Sequence, residues 1–209
     1  MDRIAAIDSM AQPVGLLVMG ALHDLGGTIV LLGADRPFWD ILKSAPEFEQ
    51  PDPVDAYSTR TLNQLAETTG ATARFPFGGP PYEPFIAWAK ASGRAWNSPT
   101  GMLVHDHTGL MISYRGALHF DEILPLPAAP AQSPCETCAD RPCETACPVS
   151  ALSVTAPYDV PACHAFLASP AGADCMECGC AVRRACPVSQ KFGRDPDQSA
   201  HHMAHFHPT

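Results

Sequence analysis

The sequence predicts an α+β protein in which an N-terminal α/β layer is followed by a small cysteine-rich module. Predicted strands and helices alternate over about the first 120 residues, which contain no cysteine. All nine cysteines lie between positions 135 and 186. Between the two parts, residues 124–134 read LPLPAAPAQSP, and their four prolines favour extended, irregular backbone. We therefore expect domains at residues 1–123 and 135–209, joined by a linker at 124–134.

The N-terminal elements follow from local signals. Residues 28–32, TIVLL, are an apolar run between glycines and predict a buried strand, and residues 37–44 predict a short helix. Asp52 followed by Pro53 predicts the start of a longer helix, which ends at Gly70. The remaining predicted elements are a helix over 84–91 and strands over 102–105 and 110–120 around the turn HDHTG.

The bulk composition narrows the classes of partner. The chain has 209 residues, 46% of them hydrophobic, which is enough for a packed core. A net charge of −9 with only 13 Lys and Arg does not provide the basic surface that nonspecific nucleic-acid binding needs. The best apolar run, residues 14–22, is too short to cross a bilayer, and no export signal is visible. We expect a cytoplasmic protein that binds neither nucleic acid nor membrane; its oligomeric state stays open.

The first cysteine motif is CETCADRPCETACP, with the spacing C-x2-C-x4-C-x3-C-P. Two-cluster bacterial ferredoxins have C-x2-C-x2-C-x3-C-P, in which the fourth cysteine ligates the other cluster. Here Arg141 and Pro142 add two residues before the third cysteine. Three thiolates of one tight loop can reach three irons of a cubane, and the proline turns the chain away after the fourth. The motif contains Cys135, Cys138, Cys143 and Cys147.

The pentapeptide ACPVS ends this motif at residues 146–150 and recurs at residues 185–189. The duplication predicts two halves that exchange their last cysteines and together bind two [4Fe–4S] clusters. Eight ligands are needed and nine cysteines exist, so one is spare, and the spacing alone leaves its identity open. The second set contains Cys163, Cys175, Cys178, Cys180 and Cys186.

Two other uses of the cysteines, structural zinc and disulfides, agree less well with the sequence. Structural zinc uses paired C-x2-C loops and gives no reason for cysteine–proline to occur twice. Disulfides conflict with the odd number of cysteines and with a reducing compartment.

From residue 98 to 152, SPTGMLVHDHTGLMISYRGALHFDEILPLP followed by the first cysteine motif resembles epoxyqueuosine reductases and reductive dehalogenases. Those enzymes carry a corrinoid-binding α/β domain before a two-[4Fe–4S] module. The segment FPFGGPPYEPFIAWA is similar to vitamin-B12 processing chaperones, which share the α/β domain without clusters. Small bacterial ferredoxin-like proteins of unassigned function resemble the chain nearly end to end, including YDVPAC and the GC..RRACP run. Since few residues precede Cys135, the resemblance implies a shortened corrinoid-domain-like layer.

The resemblance also implies a ligand set. Cys163 in YDVPACHAFL matches a lone ligand cysteine of the reductases, and the ferredoxin-like pattern C-x4-C-x5-C-P leaves Cys178 as the spare. The implied ligands are Cys135, Cys138, Cys143 and Cys186 for one cluster, and Cys147, Cys163, Cys175 and Cys180 for the other.

Three functions are compatible with these observations. The first is transfer of single electrons through two clusters to a redox partner protein or a small-molecule acceptor. The second is a corrinoid-dependent reductase in which the clusters reduce cobalt of a bound cobalamin. Its pocket would be lined by Tyr114 and Arg115, with His105 nearby. The third is a binding module without redox activity, in which the clusters only stabilise the fold. Whether the protein is an enzyme stays open.

Other polar residues have a functional and a plain interpretation. Arg183 and Arg184 precede Cys186 and would offset the negative charge of a cluster, or form a solvated helix face. His105 and His107 would bind a metal, or belong to a polar turn. His201 and His205 have i, i+4 spacing, which suits zinc or nickel. For this C-terminal tail we favour docking against the cysteine-rich module.

Overall fold

A computed structural model describes residues 2–208, whose contacts divide the chain into two compact units. The first unit comprises residues up to Arg94 together with Ser113–Pro130. The second comprises Ala95–Ile112 together with the chain from Ala131 onward. This division differs from the predicted one. Residues 95–112 group with the cysteines, and the proline-rich stretch 124–134 is divided between the units.

The helices and strands are, in chain order, α1 (Arg3–Ala11), β1 (Leu16–Asp24), β2 (Gly27–Ala34), α2 (Phe38–Lys43), α3 (Pro53–Thr69), β3 (Thr72–Arg74), α4 (Phe85–Ala91), β4 (Ala95–Asn97), β5 (Leu103–His105), β6 (Tyr114–Phe120), α5 (Val160–Leu167), α6 (Ala173–Cys178), α7 (Ala181–Ala185), α8 (Pro187–Phe192) and α9 (Pro196–Phe206). Short 3-10 turns lie at Gln12–Val14, Pro46–Glu49, Pro142–Glu144 and Pro170–Gly172.

The sheet of the first unit has the strand order β1-β2-β6-β3, and its three pairs are antiparallel. Only Leu25 and Gly26 join β1 to β2, and both have the positive φ (52° and 77°) that tight hairpin turns require. So short a connection permits only antiparallel pairing. The α+β class is confirmed, whereas the layer differs from the α/β arrangement that the alternation of elements predicts.

Several predicted elements are confirmed. The strand over residues 28–32 lies within β2, and the helices over 37–44 and 84–91 correspond to α2 and α4. Helix α3 begins at Pro53 and is followed by Gly70, whose φ of 71° is the left-handed conformation of a helix C-cap. Asp52 precedes the helix, but its side chain makes no capping hydrogen bond.

The predicted strand over residues 110–120 is wrong in its first four residues. Strand β6 begins at Tyr114 and pairs with β2 and β3, while β5 pairs with β4. The turn HDHTG therefore does not join two paired strands. It closes on itself, because His105 and Gly109 exchange both backbone hydrogen bonds, at 2.9 and 3.0 Å.

A layer of helices covers one face of the sheet. Helix α3 buries Val54, Leu62 and Leu65 in a core that includes Val30 and Leu118 of the sheet. Glycine at position 116 permits this packing, because a Cβ there would meet Leu62 Cδ1 at 2.5 Å.

The second unit is built from short helices around the cysteines. Its core contains Val104, Leu110 and Val182 together with the buried Cys143 and Cys186. Helix α9 packs on α6, as expected for a C-terminal tail that docks against the cysteine-rich module.

The apolar run at residues 14–22 contributes to β1, which is buried in the sheet. Within residues 2–208, no helix has both the length and the apolar character that crossing a membrane requires.

The burial of Leu62 leads to a test of this core. Its side chain is fully buried, so we expect Leu62→Ala to lower the free energy of unfolding by about 2–5 kcal/mol. Leu126, which is 40% exposed, is the matched control, and Leu126→Ala should change stability by no more than about 0.5 kcal/mol. Urea denaturation followed by circular dichroism compares the two, and equal losses would contradict the described packing.

Candidate cluster-binding cysteines

The loop of the first motif is shaped by its two additional residues. Arg141 adopts a positive φ of 38°, and Pro142 starts the 3-10 turn Pro142–Glu144. This turn carries Cys143 inward, where only 7% of the residue is exposed. Earlier in the loop, the backbone N–H of Cys135 donates to the hydroxyl of Ser133 at 3.2 Å.

Four thiols surround one cavity of about 400 Å³. Three belong to the first motif, and the fourth arrives from the start of α8. These cysteines, which we call the first thiol group, are Cys135, Cys138, Cys143 and Cys186. The apolar side chains of Val104 and Leu110 also line the cavity. It is therefore a partly apolar space with four sulfur donors, of the size that small ligands occupy.

The thiols of the first group influence one another. Burial raises the pKa of Cys135 and of Cys143 above the ordinary value, and neighbouring thiols of the group raise both further. A hydrogen bond from Ser133 partly opposes the effect at Cys135. Four thiolates in this space would repel one another, so a positively charged metal group is what would stabilise them.

Electrostatic interactions link Cys163 with Cys147 and Cys180, and Cys175 with Cys180. We call these four cysteines, Cys147, Cys163, Cys175 and Cys180, the second thiol group. Burial raises the pKa of Cys163, the thiols of Cys180 and Cys147 raise it further, and a hydrogen bond from Tyr158 lowers it. Burial raises the pKa of Cys175, a backbone hydrogen bond from Ala181 lowers it, and the thiol of Cys180 raises it further.

The two copies of ACPVS differ in conformation. In the first, residues 148–149 form a turn, and the amide of Ala151 donates to the Cys147 sulfur at 3.2 Å. In the second, Cys186 is the N-cap of α8, and Pro187 occupies the first helical position, which suits proline. Cys186 nonetheless lies beside the thiols of the first motif, and Cys147 lies near Cys163 of the second set.

Cys178 is the C-terminal residue of α6 and is half-buried. It does not line the cavity of the first thiol group. Gly179 follows it with a φ of 90°, and a Cβ there would meet Ser199 of α9 at 2.7 Å. The glycine thus lets the chain turn sharply between Cys178 and Cys180.

The two adjacent arginines have different surroundings. Arg184 forms an ion pair with Asp174 and donates to the carbonyl of Gly179. Arg183 donates to the carbonyl of Leu110 at 2.6 Å and interacts electrostatically with Cys180. Arg183 is thus tied to the segment 95–112, and Arg184 is paired with a carboxylate.

The segment 95–112 is anchored to the helices of the cysteine region. The N–H of Leu110 donates to the hydroxyl of Ser189 at 2.8 Å, and its carbonyl accepts from Arg183. Gly109 allows this approach, because a Cβ there would meet the Ser189 nitrogen at 2.4 Å. No spacing rule in the sequence predicts this contact. The same holds for Tyr158 and Ser133, whose hydrogen bonding lowers the pKa of Cys163 and of Cys135.

The histidines of the tail lie against α5 and against one another. The rings of His201 and His205 are 4.3 Å apart, as their i, i+4 spacing predicts. The Nδ1 atoms of His164 and His207 are 2.6 Å apart, and Phe206 stacks on Tyr158. Among residues 2–208, no group of three or more His, Cys, Asp or Glu is arranged to hold a single metal ion.

The three residues suggested for a corrinoid pocket are divided between the two units. Tyr114 and Arg115 lie on β6 of the first unit, and His105 belongs to the second. Arg115 is the additional residue of a β-bulge and donates to Asp55 of α3 at 3.4 Å. His105 is fully buried, and its Nδ1 accepts hydrogen bonds from the amides of residues 107 and 108 in its own turn.

Comparison with known proteins gave no match to the chain, whether to protein-family models, to curated proteins or to solved structures.

The crossed arrangement leads to a mutational test. Cys147→Ala and Cys186→Ala should each remove about half of the bound iron, from different clusters, because each deletes one ligand of one cubane. Cys178→Ala is the control and should retain all of it. Iron analysis and electron paramagnetic resonance (EPR) spectra of anaerobic protein measure this. Loss of iron from Cys178→Ala with retention in Cys163→Ala or Cys180→Ala would contradict the grouping.

Proposed function

We propose that this protein is an electron carrier that holds two [4Fe–4S] clusters and passes single electrons to a partner protein or a small-molecule acceptor. The observation that carries the proposal is the crossed arrangement of thiols. Cys186, the last cysteine of the chain, lies with the first motif, and Cys147 lies near Cys163 and Cys180. Exchange of the last cysteine is the feature that distinguishes two-cluster ferredoxin motifs from single-metal sites.

The first thiol group suits a cluster better than a zinc ion. A zinc ion draws its four sulfur ligands to about 2.3 Å from one point. The cavity of about 400 Å³ between these cysteines instead has room for a group of several atoms. Its apolar lining by Val104 and Leu110 would limit the access of water.

In this proposal each residue has a simple role. A bound [4Fe–4S] cluster supplies one-electron chemistry, and the two thiol groups provide its eight ligands. The amide of Ala151 donates to the sulfur of Cys147 at 3.2 Å. Hydrogen bonding by Ala181 and by Tyr158 lowers the pKa of Cys175 and of Cys163, respectively. Hydrogen bonds to ligand sulfur stabilise the more negative, reduced form of a cluster.

The metal content tests the proposal directly. Protein purified without air should be brown and contain about eight iron and eight sulfide ions per chain, as two [4Fe–4S] clusters require. Reduction with dithionite should bleach the visible absorption reversibly and give an EPR signal. Stoichiometric zinc without sulfide would overturn the proposal, and clusters that cannot be reduced would leave only a structural role.

A corrinoid-dependent reductase is the alternative that the resemblance to epoxyqueuosine reductases implies. It requires cobalamin to bind to reduced, cluster-loaded protein, which calorimetry and the cobalt absorption bands would both detect. We expect no binding, because Arg115 is already engaged with Asp55 and the Nδ1 of His105 with its own turn. Tight binding with reduction of cobalt would favour the enzyme over the electron carrier.

A further inference from the structure

The first half of helix α9 lies against a segment that carries two cysteines of the second thiol group. The helix packs on α6, which contains Cys175. It also approaches Gly179, the residue before Cys180, so closely that a Cβ on this glycine would meet the Cβ of Ser199 at 2.7 Å. Gln198 and Ser199 are only 1% and 5% exposed. This part of α9 is therefore tightly packed beside the stretch that joins the two cysteines.

The end of α9 contacts the segment around Cys163. The ring centroid of Phe206 lies 4.7 Å from that of His164 on α5 and 6.3 Å from that of Tyr158, which precedes the helix. The Nδ1 atom of His207 is 2.6 Å from the Nδ1 atom of His164, so one of these two rings donates a hydrogen bond to the other. Because His164 directly follows Cys163, α9 ends against the neighbour of a candidate ligand.

These two sets of contacts make α9 a shared neighbour of the segments that carry Cys163, Cys175 and Cys180. Helices α5 and α6 contain eight and six residues, and helices of this length are not stable alone. They contact each other, and α9 contacts both of them. Helix α9 thus restrains the position of Cys163 relative to the other two cysteines.

The first thiol group is built from other parts of the chain. The described residues that line its cavity lie within 98–110, 134–143 and 186–188, and none of them belongs to α5, α6 or α9. A displacement of α9 would therefore disturb the segments of the second thiol group and leave the walls of this cavity in place.

We propose that α9 is a strap that holds the cysteines of the second thiol group together, so that its displacement releases one cluster and leaves the other bound. This inference rests on the proposed function, because it concerns the retention of a cluster. It adds that the two clusters are held independently at this end of the chain. A helix that only covers the surface would instead leave both clusters bound when it is displaced.

One test enlarges the side chain at the contact between α9 and Gly179. In Ser199→Leu the longer side chain meets the backbone of Gly179 and should push the helix away. We expect anaerobic protein to lose about half of its iron, which is one cubane of two, together with one of two EPR species. Ser199→Ala keeps only the Cβ at this contact, and as the control it should retain all of the iron.

A second variant acts at the other end of the helix. Phe206→Ala combined with His207→Ala removes the contacts with Tyr158 and His164, and it should weaken or remove the same EPR species as Ser199→Leu. His205→Ala is the control, because this exposed side chain contacts His201 within α9 itself. Retention of all the iron by both test variants, or loss of both clusters, would overturn the inference.

Alkylation identifies the released ligands. Anaerobic Ser199→Leu protein is treated with iodoacetamide, and the labelled cysteines are located by mass spectrometry. Cys163, Cys175 and Cys180 should react, whereas Cys135 and Cys143 should stay protected as ligands of the remaining cluster. Labelling of the latter two in place of the former three would contradict the strap.

The strap and the proposed function fail in different ways. Absence of iron and sulfide from the wild-type protein would overturn the proposed function. The strap is then tested on the metal-free chain, where Cys175 and Cys143 are equally buried, at 6% and 7% exposed. Ser199→Leu should accelerate alkylation of Cys175 and not of Cys143, and equal acceleration of both would overturn the inference.

Discussion

The crossing of two cysteine motifs is the constraint on which the second unit depends. Cys186 lies with three thiols that precede it by more than forty positions, and Cys147 lies near thiols that follow it. Short helices of five to eight residues, such as α5 to α8, have little stability alone. Their arrangement therefore depends on tertiary packing, such as the core in which Val182 lies with Cys143 and Cys186.

The segment 95–112, which lies outside the cysteine motifs, is also held against the helices of the second unit. Leu110 is held through both of its backbone groups, by Ser189 at the N–H and by Arg183 at the carbonyl. Its side chain and that of Val104 line the cavity beside the first thiol group. A strand pair distant in sequence thus becomes a wall of the candidate site, and Gly109 is needed for the close approach.

The two adjacent arginines of α7 show that position on a helix decides which contacts a side chain makes. Arg183 donates to the carbonyl of Leu110 at 2.6 Å. Arg184, one residue further along, forms an ion pair with Asp174 and donates to the carbonyl of Gly179. The same residue type therefore ties α7 to two different parts of the second unit.

Local signals in the sequence were enough for the elements whose start and end depend on nearby residues. Pro53 and Gly70 mark α3, and the apolar run of residues 28–32 marks β2, because helix caps and β-branched runs act over a few positions. The cysteine spacing predicts iron–sulfur chemistry and the resemblance to known proteins implies the ligand sets, and both stay predictions. The antiparallel order of the sheet, the grouping of residues 95–112 with the second unit and the contact of Arg183 with Leu110 were not foreseeable. They depend on contacts such as that between Leu110 and Ser189, 79 positions apart, which no local pattern records.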